Sequence, residues 1–103
     1  MIVMLYQFTV KSGCQKIFEK NWAAVTDAIK RTRGSLGSRL HTTEDPLVYI
    51  AYAQWPSFEV YDSDAMSDPY TSEEEAARVA MKESCDKIET LHKMEVCDDR
   101  LIV

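Results

Sequence analysis

No apolar run in this chain of 103 residues approaches the roughly 18 residues that a membrane-spanning helix requires. The apolar start, Met1 to Leu5, has no basic stretch ahead of it and no small-residue cleavage site behind it, so it reads as part of the fold. A soluble cytoplasmic protein is expected. Cysteine is scarce and carries no pairing pattern: Cys14, Cys85 and Cys97 are odd in number, widely spaced and without a CxxC, which excludes a disulfide framework and a zinc site and leaves free thiols. Positive charge is also in short supply. A net charge of −5 and a pI near 4.9 exclude a basic face that tracks phosphates, so neither nucleic acid nor a membrane is an expected partner. The one basic cluster, Lys30, Arg31 and Arg33, falls at the end of a predicted helix, where cations complement the macrodipole. A GxGxxG loop and clustered metal ligands are missing too, and no cofactor or metal is expected.

What the chain does have is a stretch apolar at odd and even positions alike, Val48-Tyr49-Ile50-Ala51-Tyr52-Ala53-Gln54-Trp55, stopped by Pro56 and Ser57. Its β-branched and aromatic residues predict a short strand buried on both faces. Ahead of it, Met1 to Val10 alternates Ile2, Met4, Tyr6, Phe8 and Val10 against Val3, Leu5, Gln7 and Thr9, a first strand. Ser12 and Gln15 have the spacing of a capping box, and Phe18, Trp22, Val25 and Ile29 recur at helical intervals, which predicts a helix from about Gly13 to Thr32, ended by Gly34. A second strand, Ser35 to Thr43, and the turn Glu44-Asp45-Pro46 lead into the two-sided strand as a hairpin. Ser57 opens a short helical segment to about Asp62. Ser72 and Glu75 repeat the capping-box spacing before a helix with the stripe Ala77, Ala80, Met81, Ser84, Cys85 and Ile88, and Thr90 to Val103 contains a last strand with Met94 and Val96 on one face.

The order β-α-β-β-α-β is that of a ferredoxin-like α+β unit, one domain over residues 1–103, with both helices on one face of an antiparallel sheet. Helices cover only one face. Val48, Ile50 and Tyr52 on the other side require a second cover, and a second copy packing sheet on sheet supplies it, so a homodimer is expected. Leu101 to Val103 is either an added edge strand to that partner or a frayed end.

Several features together resemble the antibiotic biosynthesis monooxygenase family, dimeric α+β barrel proteins that include cofactor-independent oxygenases of aromatic polyketides and quinols. They are Gly34-Ser35 opening the second strand, His41 ahead of Trp55, Tyr52-Ala53-Gln54-Trp55 followed by Ser57 and Tyr61, and Asp68-Pro69 in register. The resemblance implies a cavity between sheet and helices, lined by a tryptophan and a tyrosine that fall on Trp55 and Tyr61. It also implies an asparagine where this chain has Ala51 and an arginine where it has Glu75, with Arg78 one helical turn later. The haem-degrading branch fits less well, because its strand-one asparagine falls on Tyr6 and no histidine lies between His41 and His92.

Taken by their chemistry, four residues are candidates for a catalytic site. Trp55, where a strand meets a helix, either stacks on a flat aromatic ligand or caps the core. Tyr61 offers a hydroxyl to a carbonyl or phenolate, or else sits at the surface. Arg78 either stabilises an enolate or phenolate or is a solvated helix charge. His41 is an acid or base candidate on the strand side shared with Arg39, with no carboxylate or nucleophile placed beside it. Trp22 reads as core, and Glu73-Glu74-Glu75 as a helix-start acidic cluster. The expectation is a small homodimeric, cofactor-independent monooxygenase acting on an aromatic, quinol or polyketide-like molecule. The alternative is a non-catalytic ligand-binding or stress-related protein of the same fold.

Overall fold

The computed structural model describes residues 1–63 and 65–101. Seven elements follow one another: β1 (Ile2–Val10), α1 (Gln15–Arg33), β2 (Gly37–Thr42), β3 (Val48–Trp55), α2 (Phe58–Asp62), α3 (Ser72–Glu83) and β4 (Cys85–Glu95). The strands form one antiparallel sheet in the order β2-β3-β1-β4, the expected ferredoxin-like arrangement. The alternation in β3 sorts as its sequence requires. Tyr49, Ala51, Ala53 and Trp55 are buried against the helices, and Val48, Ile50, Tyr52 and Gln54 are half-buried on the opposite face. In β1 the even positions Ile2, Met4, Phe8 and Val10 join the inner layer.

Two apolar clusters make the core. One gathers Phe8, Val10, Tyr49 and Ala51 around Phe18 of α1; the other gathers Ile2, Met4, Ala53 and Trp55 beneath Ile29 and the α2 residues Phe58, Val60 and Tyr61. At the end of α1, Gly34 adopts φ +81°, and a Cβ there would lie 3.3 Å from Val60 Cγ1, so both backbone conformation and space favour glycine. Ser57 caps α2 by accepting from the Val60 amide.

Three expectations about boundaries are corrected. Ser12 caps nothing: Gly13 (φ +84°) and a turn in which the Cys14 amide donates to the Lys11 carbonyl carry the chain past it, and α1 starts at Gln15 without a side-chain cap. The capping box on α3 is Thr71 with Glu74, one residue ahead of Ser72 and Glu75. Successive Thr-Ser and Glu-Glu-Glu permit both registers, and Arg31 of α1, which pairs with Glu74, selects the earlier one. The helical stripe also ran too far. Ser84 is the buried C-cap of α3, but Cys85 and Ile88 do not continue the helix; the chain enters β4 at Cys85, because β1 presents a full strand edge from Val10 to Ile2 for it to pair with. Val96 lies just beyond β4, its amide donating to the Met1 carbonyl. Leu101 is exposed outside any strand, and Ile102 and Val103, the rest of the suggested edge strand, lie outside the described residues.

One side-chain bond ties α1 to the sheet: the Tyr49 hydroxyl donates to Glu19 Oε2 at 2.6 Å. Burial first, and then this bond and the carboxylate's charge, push the Tyr49 phenol up to about 12. An unfolded chain releases that proton near pH 10, whereas the folded one keeps it. The stabilisation is therefore whole below pH 10 and lost as pH rises from about 10 to 12. Urea midpoints taken between pH 8 and 11 are expected to fall more steeply for the parent than for Tyr49→Phe; parallel curves would show that the bond contributes nothing.

Candidate functional site

Between the two core clusters lies a cavity of about 240 Å³. It exists because β3 places alanine at two successive inward positions, Ala51 and Ala53, so that the centre of the sheet carries little side-chain volume beneath α1. Trp22, Val25, Thr26 and Ile29 of α1 form its roof, Tyr6, Phe8, Trp55 and Ile88 belong to the sheet, and Met81 and Lys82 of α3 complete one side. Both tryptophans of the chain line it. The walls are chiefly apolar, as a site for a flat hydrophobic ligand requires.

Trp55 is 4% exposed and stands at the end of β3. Tyr61 of α2 meets it edge to face, with ring centroids 5.2 Å apart, and the Tyr61 hydroxyl lies 3.1 Å from that of Tyr6. Short α2 carries Tyr61 to this place because Pro56 and the Ser57 cap turn the chain over the sheet directly after Trp55. Arg33 closes the group from α1. Its Nη2 donates to the carbonyls of Tyr61 (2.9 Å) and Ser63 (3.2 Å), and its guanidinium lies 5.4 Å from the Trp55 ring centroid. Lys93 of β4 adds a second cation, 5.4 Å from the Tyr61 ring and paired with Asp62. Burial, followed by the hydrogen bond and charge of Tyr61, holds the Tyr6 phenol far above its ordinary value, and Arg33 opposes this more weakly. Tyr6 is protonated at neutral pH and is a donor, not a base.

The other two candidates stand apart. Arg78 does not line the cavity; it pairs with Glu75 at 3.0 Å and lies over the Tyr70 ring at 5.0 Å. His41 is exposed on β2, opposite Ile50 on the outer face with Arg39, its Nδ1 3.1 Å from the Ile50 carbonyl oxygen. Among the described residues no three His, Cys, Asp or Glu side chains are grouped as a metal site, and no helix is long and apolar enough to cross a membrane.

The family model for antibiotic biosynthesis monooxygenases matches residues 1–71. The chain belongs to that family. Solved structures share the fold: a Bordetella bronchiseptica protein described as an antibiotic biosynthesis monooxygenase is 21% identical with a TM-score of 0.72, covering 92% of this chain and 95% of its own. SnoaB, a cofactor-independent oxygenase of Streptomyces nogalater solved as an asparagine-to-alanine variant, is 17% identical with a TM-score of 0.71, covering 96% of this chain and 95% of its own. A Nitrosomonas europaea protein described in the same family terms is 12% identical at a TM-score of 0.70, covering 95% of this chain and the whole of its own. No functionally curated protein matches.

For this member of the family, sequence reasoning passed over three residues of the site. Trp22 looked like stripe, since helical periodicity does not distinguish a wall from a core. Arg33 looked like a helix-end charge, and nothing local signals that it spans to Tyr61, 28 residues on. Tyr6 alternates in step with Ile2, Met4, Phe8 and Val10, but nothing local marks its partner Tyr61, 55 residues away.

Proposed function

We propose that this chain is a cofactor-independent monooxygenase, active as a homodimer, that oxidises a small aromatic, quinol or polyketide-like molecule in the cavity between sheet and helices. The observation that carries the reading is the cavity itself: apolar, walled by Trp22 and Trp55, and backed at the Trp55 end by hydroxyls and two cations. An ionised phenol or enolate reduces oxygen directly, supplying the electrons, with one oxygen atom entering the product and the other leaving as water. The protein's tasks are then to hold the ring and favour the anion. Trp55 provides the stacking surface, and Tyr61 with Arg33 the positive surroundings at that end.

A second reading, a non-catalytic dimeric ligand-binding protein, is favoured by one specific feature. Among the described residues lining the cavity there is no carboxylate or imidazole to take a proton. Oxygen uptake separates the two. With a panel of hydroquinones and anthrone-like phenols, the parent is expected to consume oxygen. Trp55→Phe and Tyr61→Phe are expected to be at least tenfold slower, and Ala51→Leu, which fills the cavity, to be inactive. No uptake by the parent above the uncatalysed rate across the panel would refute the oxygenase reading and leave the binding one.

A further inference from the structure

The hydroxyl pair at the Trp55 end has a proton to spare. Tyr6 and Tyr61 bring two hydroxyl protons to one hydrogen bond of 3.1 Å, and neither hydroxyl has another partner among the described residues. One O–H is therefore left without an acceptor within the pair. Rotation of the two O–H bonds interconverts the two arrangements, so either hydroxyl serves as donor to the other. With Tyr61 donating, the spare proton is that of Tyr6, and Tyr6 is the member of the pair that lines the cavity.

The fold aims Tyr6 there by two devices. Its neighbour on β3 is Ala51, which has nothing beyond Cβ to stand between the ring and the cavity. Its neighbour on β4 is Thr90, reached across a bulge: Leu5 faces His92 and Tyr6 faces Thr90, so Leu91 is the extra residue. Such a bulge turns the local side chains relative to a regular ladder. The two serine hydroxyls of the lining are less free. Ser35 Oγ accepts from the Gly37 amide and lies 3.4 Å from the Gln54 carbonyl, and Ser38 Oγ donates to the Tyr52 carbonyl at 3.0 Å.

Resting on the reading of the cavity as an aromatic site, we propose that Tyr6 is the residue that hydrogen-bonds the ligand, donating its proton to a phenolic, quinol or ketone oxygen, with Tyr61 as the positioning residue behind it. The ligand then lies with its oxygen at the Trp55 end and its rings along Phe8 and Trp22, and the site selects oxygenated aromatics over hydrocarbons of the same shape. As charge develops on that oxygen the bond from Tyr6 strengthens, because a donor to an anion is worth more than one to a neutral acceptor.

Equilibrium dialysis of the whole chain with 1-naphthol and with naphthalene tests this, since the two probes differ only by a hydroxyl. The parent is expected to prefer 1-naphthol by about tenfold beyond the preference set by their partition from water. Tyr6→Phe is expected to abolish that preference while leaving naphthalene binding within about twofold, and Tyr61→Phe to reduce it in part. An unchanged preference in Tyr6→Phe overturns the assignment while sparing the cavity. Should Tyr6→Phe fail to fold, Tyr61→Phe decides alone, an undiminished preference counting against the pair. A parent that binds neither probe overturns both this inference and the aromatic-site reading beneath it.

Discussion

Replacing Phe18 by alanine is expected to destabilise the protein by about 3–5 kcal/mol. Phe18 has no exposed surface, and its ring lies 5.0 Å from Phe8 of β1 and 5.0 Å from Tyr49 of β3, so one side chain joins the long helix to both central strands. Removing it forfeits the transfer free energy of the ring and leaves a void that the surrounding sheet cannot close. A domain of this size has a total stability of about 5–15 kcal/mol, so the variant would be close to unfolding at ambient temperature. Urea titration followed by circular dichroism should show a much lower midpoint at an unchanged slope, and a thermal midpoint lower by on the order of 15–30 °C. A loss below about 1 kcal/mol would mean that α1 is held to the sheet by something else. The site is affected too, since the same helix carries the cavity's roof, Trp22 to Ile29.

Replacing Ile50 by arginine is expected to dissociate the proposed homodimer without unfolding the subunit. Val48, Ile50 and Tyr52 lie half-buried on the face that all three helices leave uncovered, beside Val3 and Leu5 of β1. In a two-fold interface the substitution enters twice. The cross-strand neighbours of Ile50 are Gln7 and His41, with Arg39 further along the same face, and the carboxylate in the same row, Glu89, lies one strand beyond Gln7 and is paired with Lys87. Burying an unpaired charge costs several kcal/mol, and each 1.4 kcal/mol is a factor of ten in dissociation constant, so a loss of at least about 100-fold is expected. Light scattering at micromolar concentration should report a dimeric parent and a monomeric variant with an unchanged circular dichroism spectrum. A monomeric parent would refute the dimer, and a variant as dimeric as the parent would place the contact on another surface.

The fold was legible because its signals are local and repeated. In β3 the period of two separates Tyr49, Ala51, Ala53 and Trp55 from Val48, Ile50 and Tyr52 without reference to any other part of the chain, and Gly34 ends α1 by a property of its own backbone. The β4 boundary was not legible. Cys85 and Ile88 continue a helical spacing, and only the unpaired edge of β1 draws them into a strand. The site divides in the same way. Trp55 is marked by its place at a strand end, whereas nothing around Arg78 or His41 in sequence reveals that one pairs with Glu75 and the other stands on the outer face.

By itself, then, the sequence determined the element order, which face of β3 turns inward, and the two alanines that leave room at its centre. Those follow from backbone periodicity and side-chain volume, properties that each residue carries wherever it is placed. Tertiary structure alone decided that Tyr6, Tyr61, Arg33 and Lys93 meet at the Trp55 end of the cavity. Their meeting depends on strand register, the bulge at Leu91 and the path of α2, and such distances between remote residues have no expression in the local pattern of the chain.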